Sequence, residues 1–217
     1  MKRLSKKTNY VIKSKSSVFI DKRATIGENV IIYENVRIEG ASVIGDNVTI
    51  FPNCFIADTI IGKGTKIYSS HIEKSEIGAC SSIGPFAHLR PKSKVGNKVK
   101  VGNFCELKNC EIGDNTKISH LAYVGDSTVG KGCNIGCGVI FVNYNGKTKS
   151  RTIVGDNVFI GSNVNLVAPV TIESGAYICA GTTIDKDVKS GDFVIGRVRQ
   201  ESKPNRAKDY WNITETE

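Results

Sequence analysis

Aromatic residues are scarce in this 217-residue chain: they make up 7%, with one Trp, and Met occurs once. A core built on large rings is therefore excluded. Long apolar runs are missing as well. None approaches the ~18 residues of a membrane span, and no apolar stretch follows the basic residues 1–10 as a secretory signal requires. The seven cysteines (Cys54, Cys80, Cys105, Cys110, Cys133, Cys137, Cys179) are odd in number, irregularly spaced and without a CxxC pair. Neither a disulfide framework nor a zinc knuckle is signalled, and the thiols read as small buried hydrophobes in a reducing compartment, hence a cytoplasmic protein.

Acidic residues are outnumbered 21 to 30, a formal charge of +9, while 40% of residues are apolar, too many for a disordered chain. A positive surplus favours anionic partners. Lys and Arg are scattered, with modest clusters at 2–7 and 197–208, and no basic helix, finger spacing or aromatic-rich RNA motif occurs. Nucleic acid is not expected; phosphorylated small molecules remain eligible.

What the chain does contain is a repeat. Aliphatic residues recur every six positions from Ile20 through Ile26, Ile32, Ile38, Ile44, Ile50 and Ile56. The series shortens to five-residue steps, as at Ile67–Ile72–Ile77, and returns to sixes from Ile83 to Leu107. It runs on to Phe141, jumps thirteen residues to Val154, and closes at Ile184. Gly often follows the aliphatic (Gly45, Gly62, Gly96), and a small or β-branched residue often stands four after it (Val48, Thr65, Val99). A period of six fits neither a helix nor simple strand alternation, and an antiparallel meander would vary its turn lengths. It fits a short strand plus a turn: aliphatic inward, glycine tolerating the turn's backbone, small residue packing beside it. Three units make one triangular turn of a parallel β-helix, so 28 aliphatic starts predict about nine turns. The expected division is a basic N-terminal segment (1–17), the repeat domain (18–196) and a C-terminal tail (197–217) ending near Tyr210 and Trp211. The thirteen-residue step, with Asn145-Gly146 inside it, predicts an excursion loop.

A solenoid does not fix a function. A zinc hydrase on such a scaffold needs three converging histidines, two of them close in sequence. His71, His88 and His120 lie seventeen and thirty-two residues apart, so no metal is expected. His120 stands two after an inward Ile118 and should project outward. Arg90 and Lys108 occupy the position where the repeat prefers Gly, and long cations there suggest a requirement outside folding.

Several segments together resemble a known family. These are the run Ser82 to Pro91, Val101 to Lys108, Ser119-His120-Leu121-Ala122-Tyr123-Val124-Gly125-Asp126, Asn143-Tyr144-Asn145-Gly146 and Leu166-Val167-Ala168-Pro169. In this order they resemble the acetyltransferase domain of bacterial bifunctional N-acetylglucosamine-1-phosphate uridyltransferase/glucosamine-1-phosphate acetyltransferase. The resemblance covers roughly residues 18 to 200 and implies a left-handed all-β coil. It also implies acetyl transfer from acetyl-CoA to the amine of glucosamine 1-phosphate, with His120 as general base; an imidazole near pKa 6.5 suits that role. It implies Arg90, Lys108, Tyr123, Asn134 and Lys149 as acceptor-binding residues, with the cations on phosphate. Cys137, Asn143, Tyr144, Ser162, Ala180 and Arg197 are implied at the coenzyme. A homotrimer with sites shared between subunits follows from the same source, and a flat-sided prism suits threefold pairing.

The sequence departs from the family pattern at Cys137 (usually Ala), Asn145 (often Asp), Ser119 (often Gly) and in the tail. No Gly-rich nucleotide-binding segment precedes the repeat, so uridylyl transfer and its magnesium are not expected. An acyltransferase with another amino-sugar or nucleotide-linked acceptor, and a non-catalytic scaffold, are the competing readings. A scaffold would have neutral residues at positions 90, 108 and 120.

Overall fold

The computed structural model describes residues 9–209, so Tyr210, Trp211 and residues 1–8 lie outside the described residues. Nearly every strand is two or three residues long and flanks one inward aliphatic side chain, as at Thr49–Ile50 and Lys66–Ile67. Successive strands do not pair. Each lies parallel to the strand about three units later, so that Ile32, Ile50, Ile67 and Ile83 stack in register. Among the described residues eleven strands build the first face of the prism, giving about ten turns of a left-handed coil.

The nine turns expected fall short because the coil reaches further at both ends. Val11–Ile12 pairs with Ile31–Ile32, so the coil begins inside the segment assigned to the basic N-terminus rather than at residue 18. Val188 and Phe193–Val194 add a last turn after Ile184. Stacked partners on the first face are 16 to 20 residues apart, as from Lys66 to Ser82 and from Val11 to Ile31. The one longer step, 25 residues from Asn134 to Phe159, contains the excursion.

The interior is a column of aliphatic residues. Ile32, Ile38, Ile50, Ile56, Ile67, Ile72 and Ile83 are wholly buried, and Phe141 is the largest side chain among them. Burying each contributes roughly 1.5–3 kcal/mol. The small residues four after the aliphatic are buried too, and the polar ones satisfy themselves locally. Thr65 and Thr116 donate to the carbonyls of Gly78 and Gly130, each at 2.8 Å.

The glycine after the aliphatic has a different reason from the one expected. Gly45 and Gly62 do not have a left-handed φ; a Cβ on Gly62 would fall 2.6 Å from the Gly78 carbonyl carbon in the next turn. Glycine is required there by the closeness of stacked backbones. The left-handed φ belongs three after the aliphatic, at Asn47, Asn53, Asn115 and Asn163 or at Gly64 and Gly132. Asn and Gly are the residues that adopt it most readily.

The second and third faces merge into one sheet, because two seven-residue strands, Glu106–Ile112 and Tyr123–Val129, run around the corner between them. Here the aliphatic step is five, and backbone pairing continues through the bend as Lys108↔Gly125 and Cys110↔Ser127. The excursion leaves this same corner after Ile140–Val142 and returns at Thr152–Val154. It forms the expected loop, a small hairpin closed by Tyr144↔Lys149 and by the Asn145 side chain accepting from Lys147 and Thr148.

Candidate active site

Two corners of the prism carry the residues singled out from the sequence. His120 ends the strand Lys117–His120 on the corner between the first and second faces, and it is exposed. Its register partner is Asn103, one turn earlier, and the imidazole Nδ1 lies 2.5 Å from the Asn103 Oδ1. A carboxamide oxygen only accepts, so Nδ1 is the donor in this bond, and Nε2 is the ring nitrogen left free to act.

Cys137, Ser162 and Ala180 stand two after their own inward aliphatics on the following turns, the position that His120 holds after Ile118. The four therefore form one column up the same corner. Backbone bonds from Asn163 to Cys137 and from Gly181 to Ser162, each 2.8 Å, fix their order. At its far end the Arg197 guanidinium donates to the Ala180 carbonyl at 2.7 Å. Beside the column, Phe86, Phe104 and Leu121 occupy the left-handed position that Asn or Gly holds at most other turns, and all three are exposed. Bulky side chains rarely adopt that φ, and the rings of Phe86 and Phe104 stack 5.5 Å apart.

The opposite edge of the second face is charged and closed. Arg90 and Lys108 are neighbours on it, since Leu89 and Leu107 are in register. Arg90 donates to Glu106 at 2.9 Å, and Lys108 lies 3.7 Å from Asp126. Asp126 is buried and also accepts from Asn109, at 2.6 Å, and from the Asn143 amide. Burial pushes the Asp126 carboxyl upward, but those hydrogen bonds, with the charges of Lys108 and Lys149, outweigh it and leave the pKa below the usual carboxylate value. Asn143 is buried and reaches the Tyr123 hydroxyl at 3.4 Å. Tyr123 in turn leans across the face above Gly125, where a Cβ would fall 2.4 Å from its hydroxyl oxygen. Arg151 ties the base of the loop down through the Ser127 carbonyl at 2.7 Å.

Within one chain, no hydrogen bond or ion pair joins His120 to Arg90 or Lys108; they flank the second face from opposite edges. Asn134 is displaced further, outward on the first face in register with Lys117. Tyr144 is exposed on the loop and bonds its own turn at Gly146. Asn103, Glu106, Asn109, Asp126 and Arg151 were missed from the sequence; each acts on a side chain or backbone a turn or more away. Two histidines read from the sequence as too far apart to converge are neighbours in space. Seventeen residues is one turn of this coil, so His71 and His88 are register partners with rings 5.0 Å apart.

Residues 71–145 match the GMPPB C-terminal domain, and residues 151–186 match the bacterial transferase hexapeptide, six repeats. The second match places a bacterial transferase hexapeptide repeat within this chain. The chain is 47% identical over 184 residues to the bifunctional protein GlmU of Clostridium novyi (strain NT), covering 85% of the chain and 40% of the relative. It is 50% identical over 185 residues to that of Clostridioides difficile (strain 630), with 85% and 40% covered. The GlmU of Shouchella clausii (strain KSM-K16) is 48% identical over 192 residues, with 88% and 42% covered. The chain thus spans about two-fifths of the length of the curated relatives it matches, and the resemblance read from its motifs is borne out. Among solved structures, UDP-N-acetylglucosamine acyltransferase from Campylobacter jejuni has a TM-score of 0.49 at 17% identity, with 83% of this chain and 69% of that one covered. No feature of the site rests on that likeness.

Proposed function

We propose that this chain moves the acetyl group of acetyl-CoA to the amine of glucosamine 1-phosphate. The observation that carries the reading is the His120 column: an imidazole whose Nδ1 is engaged by Asn103, heading a file of Cys137, Ser162 and Ala180 that ends at Arg197. The coenzyme lies along this file, its thioester beside His120 and its anionic end toward Arg197, with Tyr144 from the loop closing on it. The sugar amine attacks the thioester carbonyl carbon while Nε2 removes its proton. The carbon–sulfur bond then breaks, and the departing thiolate takes the proton back from the imidazolium. Asn103 stabilises that imidazolium, since Nδ1 remains its donor. No acyl-enzyme is formed, so no cysteine nucleophile is needed, which suits the buried thiols: burial pushes Cys54 up to about 11 and Cys110 to about 12.

Arg90, Lys108 and Lys149 hold the acceptor's phosphate, with Tyr123 beneath the sugar. Asn143 acts by locking Tyr123 and Asp126. Because His120 and the cations flank one face from opposite edges, and Asn134 is on another, a second copy docked on this face completes the site; a homotrimer does so by symmetry. A cytoplasmic enzyme supplying an amino-sugar precursor of the cell envelope fits this chemistry.

The test is release of free thiol from acetyl-CoA against glucosamine 1-phosphate, glucosamine, glucosamine 6-phosphate and nucleotide-linked amino sugars. Turnover confined to the 1-phosphate is the expected outcome. Preference for a nucleotide-linked sugar would replace the acceptor, and no thiol release from any of them would overturn acetyl transfer.

A further inference from the structure

Below Arg90 on the second face, three side chains meet that neither the fold nor acetyl transfer requires. The strand His71–Glu73 points His71 and Glu73 outward on either side of buried Ile72, as alternate residues must. One turn later His88 stands directly above His71. The Nε2 of His71 lies 3.5 Å from one Glu73 oxygen, and the Nε2 of His88 lies 4.0 Å from the other. Among the described residues this is a group whose donor atoms all fall within 4.8 Å of one another.

We infer that His71, Glu73 and His88 form a binding site for one divalent transition-metal ion of the zinc class. Two imidazoles and a carboxylate are the donor set such borderline ions take, at about 2.0–2.2 Å each. A tetrahedral ion of that size separates its donors by about 3.3 Å, so the widest gap closes by about 1.5 Å, within reach of side-chain rotation. Three further features favour the site. The His88 Nε2 is shielded from solvent and has no hydrogen-bond partner, which an ion would supply. The His71 ring is braced by Phe55 one turn below, with centroids 4.5 Å apart. Arg90 is bonded to Glu106 rather than to Glu73, so the Glu73 carboxylate stays available. Three protein ligands leave a fourth position open to water or a small anion. The ion site stands on these residues whether or not acetyl transfer is correct.

Cobalt(II) is the probe. Chelator-treated protein titrated with Co²⁺ is expected to bind one equivalent per chain with visible d–d bands and no near-ultraviolet thiolate band. Zn²⁺ is expected to displace it in competition. His88→Ala, and the isosteric Glu73→Gln, should weaken binding at least about 10–100-fold, the loss seen when even an outer-shell partner goes. His120→Ala and Cys80→Ser should leave binding unchanged, Cys80 being the exposed thiol. Failure to saturate, affinity unaltered in both His88→Ala and Glu73→Gln, or a thiolate band that vanishes in Cys80→Ser would each overturn the site.

Discussion

The two corners flanking the second face are built from the same repeat yet differ in chemistry. Both corners turn through left-handed residues, Phe104 and Leu121 at one and Asn109 and Asp126 at the other. Between the first and second faces the side chains stand free: His120 is exposed with Asn103 as its partner, beside exposed Phe86, Phe104 and Leu121. Between the second and third faces the five-residue steps keep the backbone paired, and the side chains are cross-linked: Asp126 joins Asn109, Asn143 and Lys108. One corner offers an exposed imidazole; the other offers a rigid rim with its charges already arranged. What separates the two is whether the side chains set on the corner bond across turns.

Removing the open corner's base should have the largest effect. His120→Ala is expected to lower kcat by about two to four orders of magnitude in the thiol-release assay, with melting temperature unchanged, since the side chain bears no packing load. Breaking the locked corner should act on stability first. Asp126→Ala strands the amides of Asn109 and Asn143 and the Lys108 ammonium, costing about 1–3 kcal/mol by denaturant unfolding. The same residue sets a pH dependence. Its folded pKa is lowered, so its contribution is complete above the unfolded carboxylate's ordinary value and is lost as pH falls through the folded value below it. The acid limb of the wild-type stability curve should flatten in the variant.

Arg90→Ala sharpens the contrast by substrate. It should raise KM for glucosamine 1-phosphate by about 10–100-fold, the worth of one charge-assisted hydrogen bond, and leave that for unphosphorylated glucosamine nearly unchanged. Equal losses on both would mean that this cation does not read phosphate. Asn103→Ala should have the smallest effect, about tenfold in kcat at constant KM. Recovery of kcat in Asn103→Asp, whose carboxylate also accepts from Nδ1, separates positioning of the imidazole from a packing role.

The inward positions of the coil were legible because every third of a turn repeats the same demand for one aliphatic and one small residue. The ends were not, because Ile12, Val188 and Val194 lack the glycine and the even spacing that marked the rest. The glycine was found but misread, since a close approach between turns leaves the same residue as a left-handed φ does. His120, Arg90 and Lys108 were visible as exceptions to the repeat. Asn103, Asp126 and Glu106 were not, as their meaning depends on what stands a turn away, and that distance varies from 16 to 20 residues. The same variation hid the pairing of His71 with His88.

Stacked strands also make the open corner a ruler. Each turn advances about 4.8 Å along the axis, so Ala180, three turns beyond His120, is about 14 Å from it however the side chains move. Deleting one whole turn between them would shorten that reach by a fixed increment without disturbing either end. Any molecule that must touch both is thereby selected by its length.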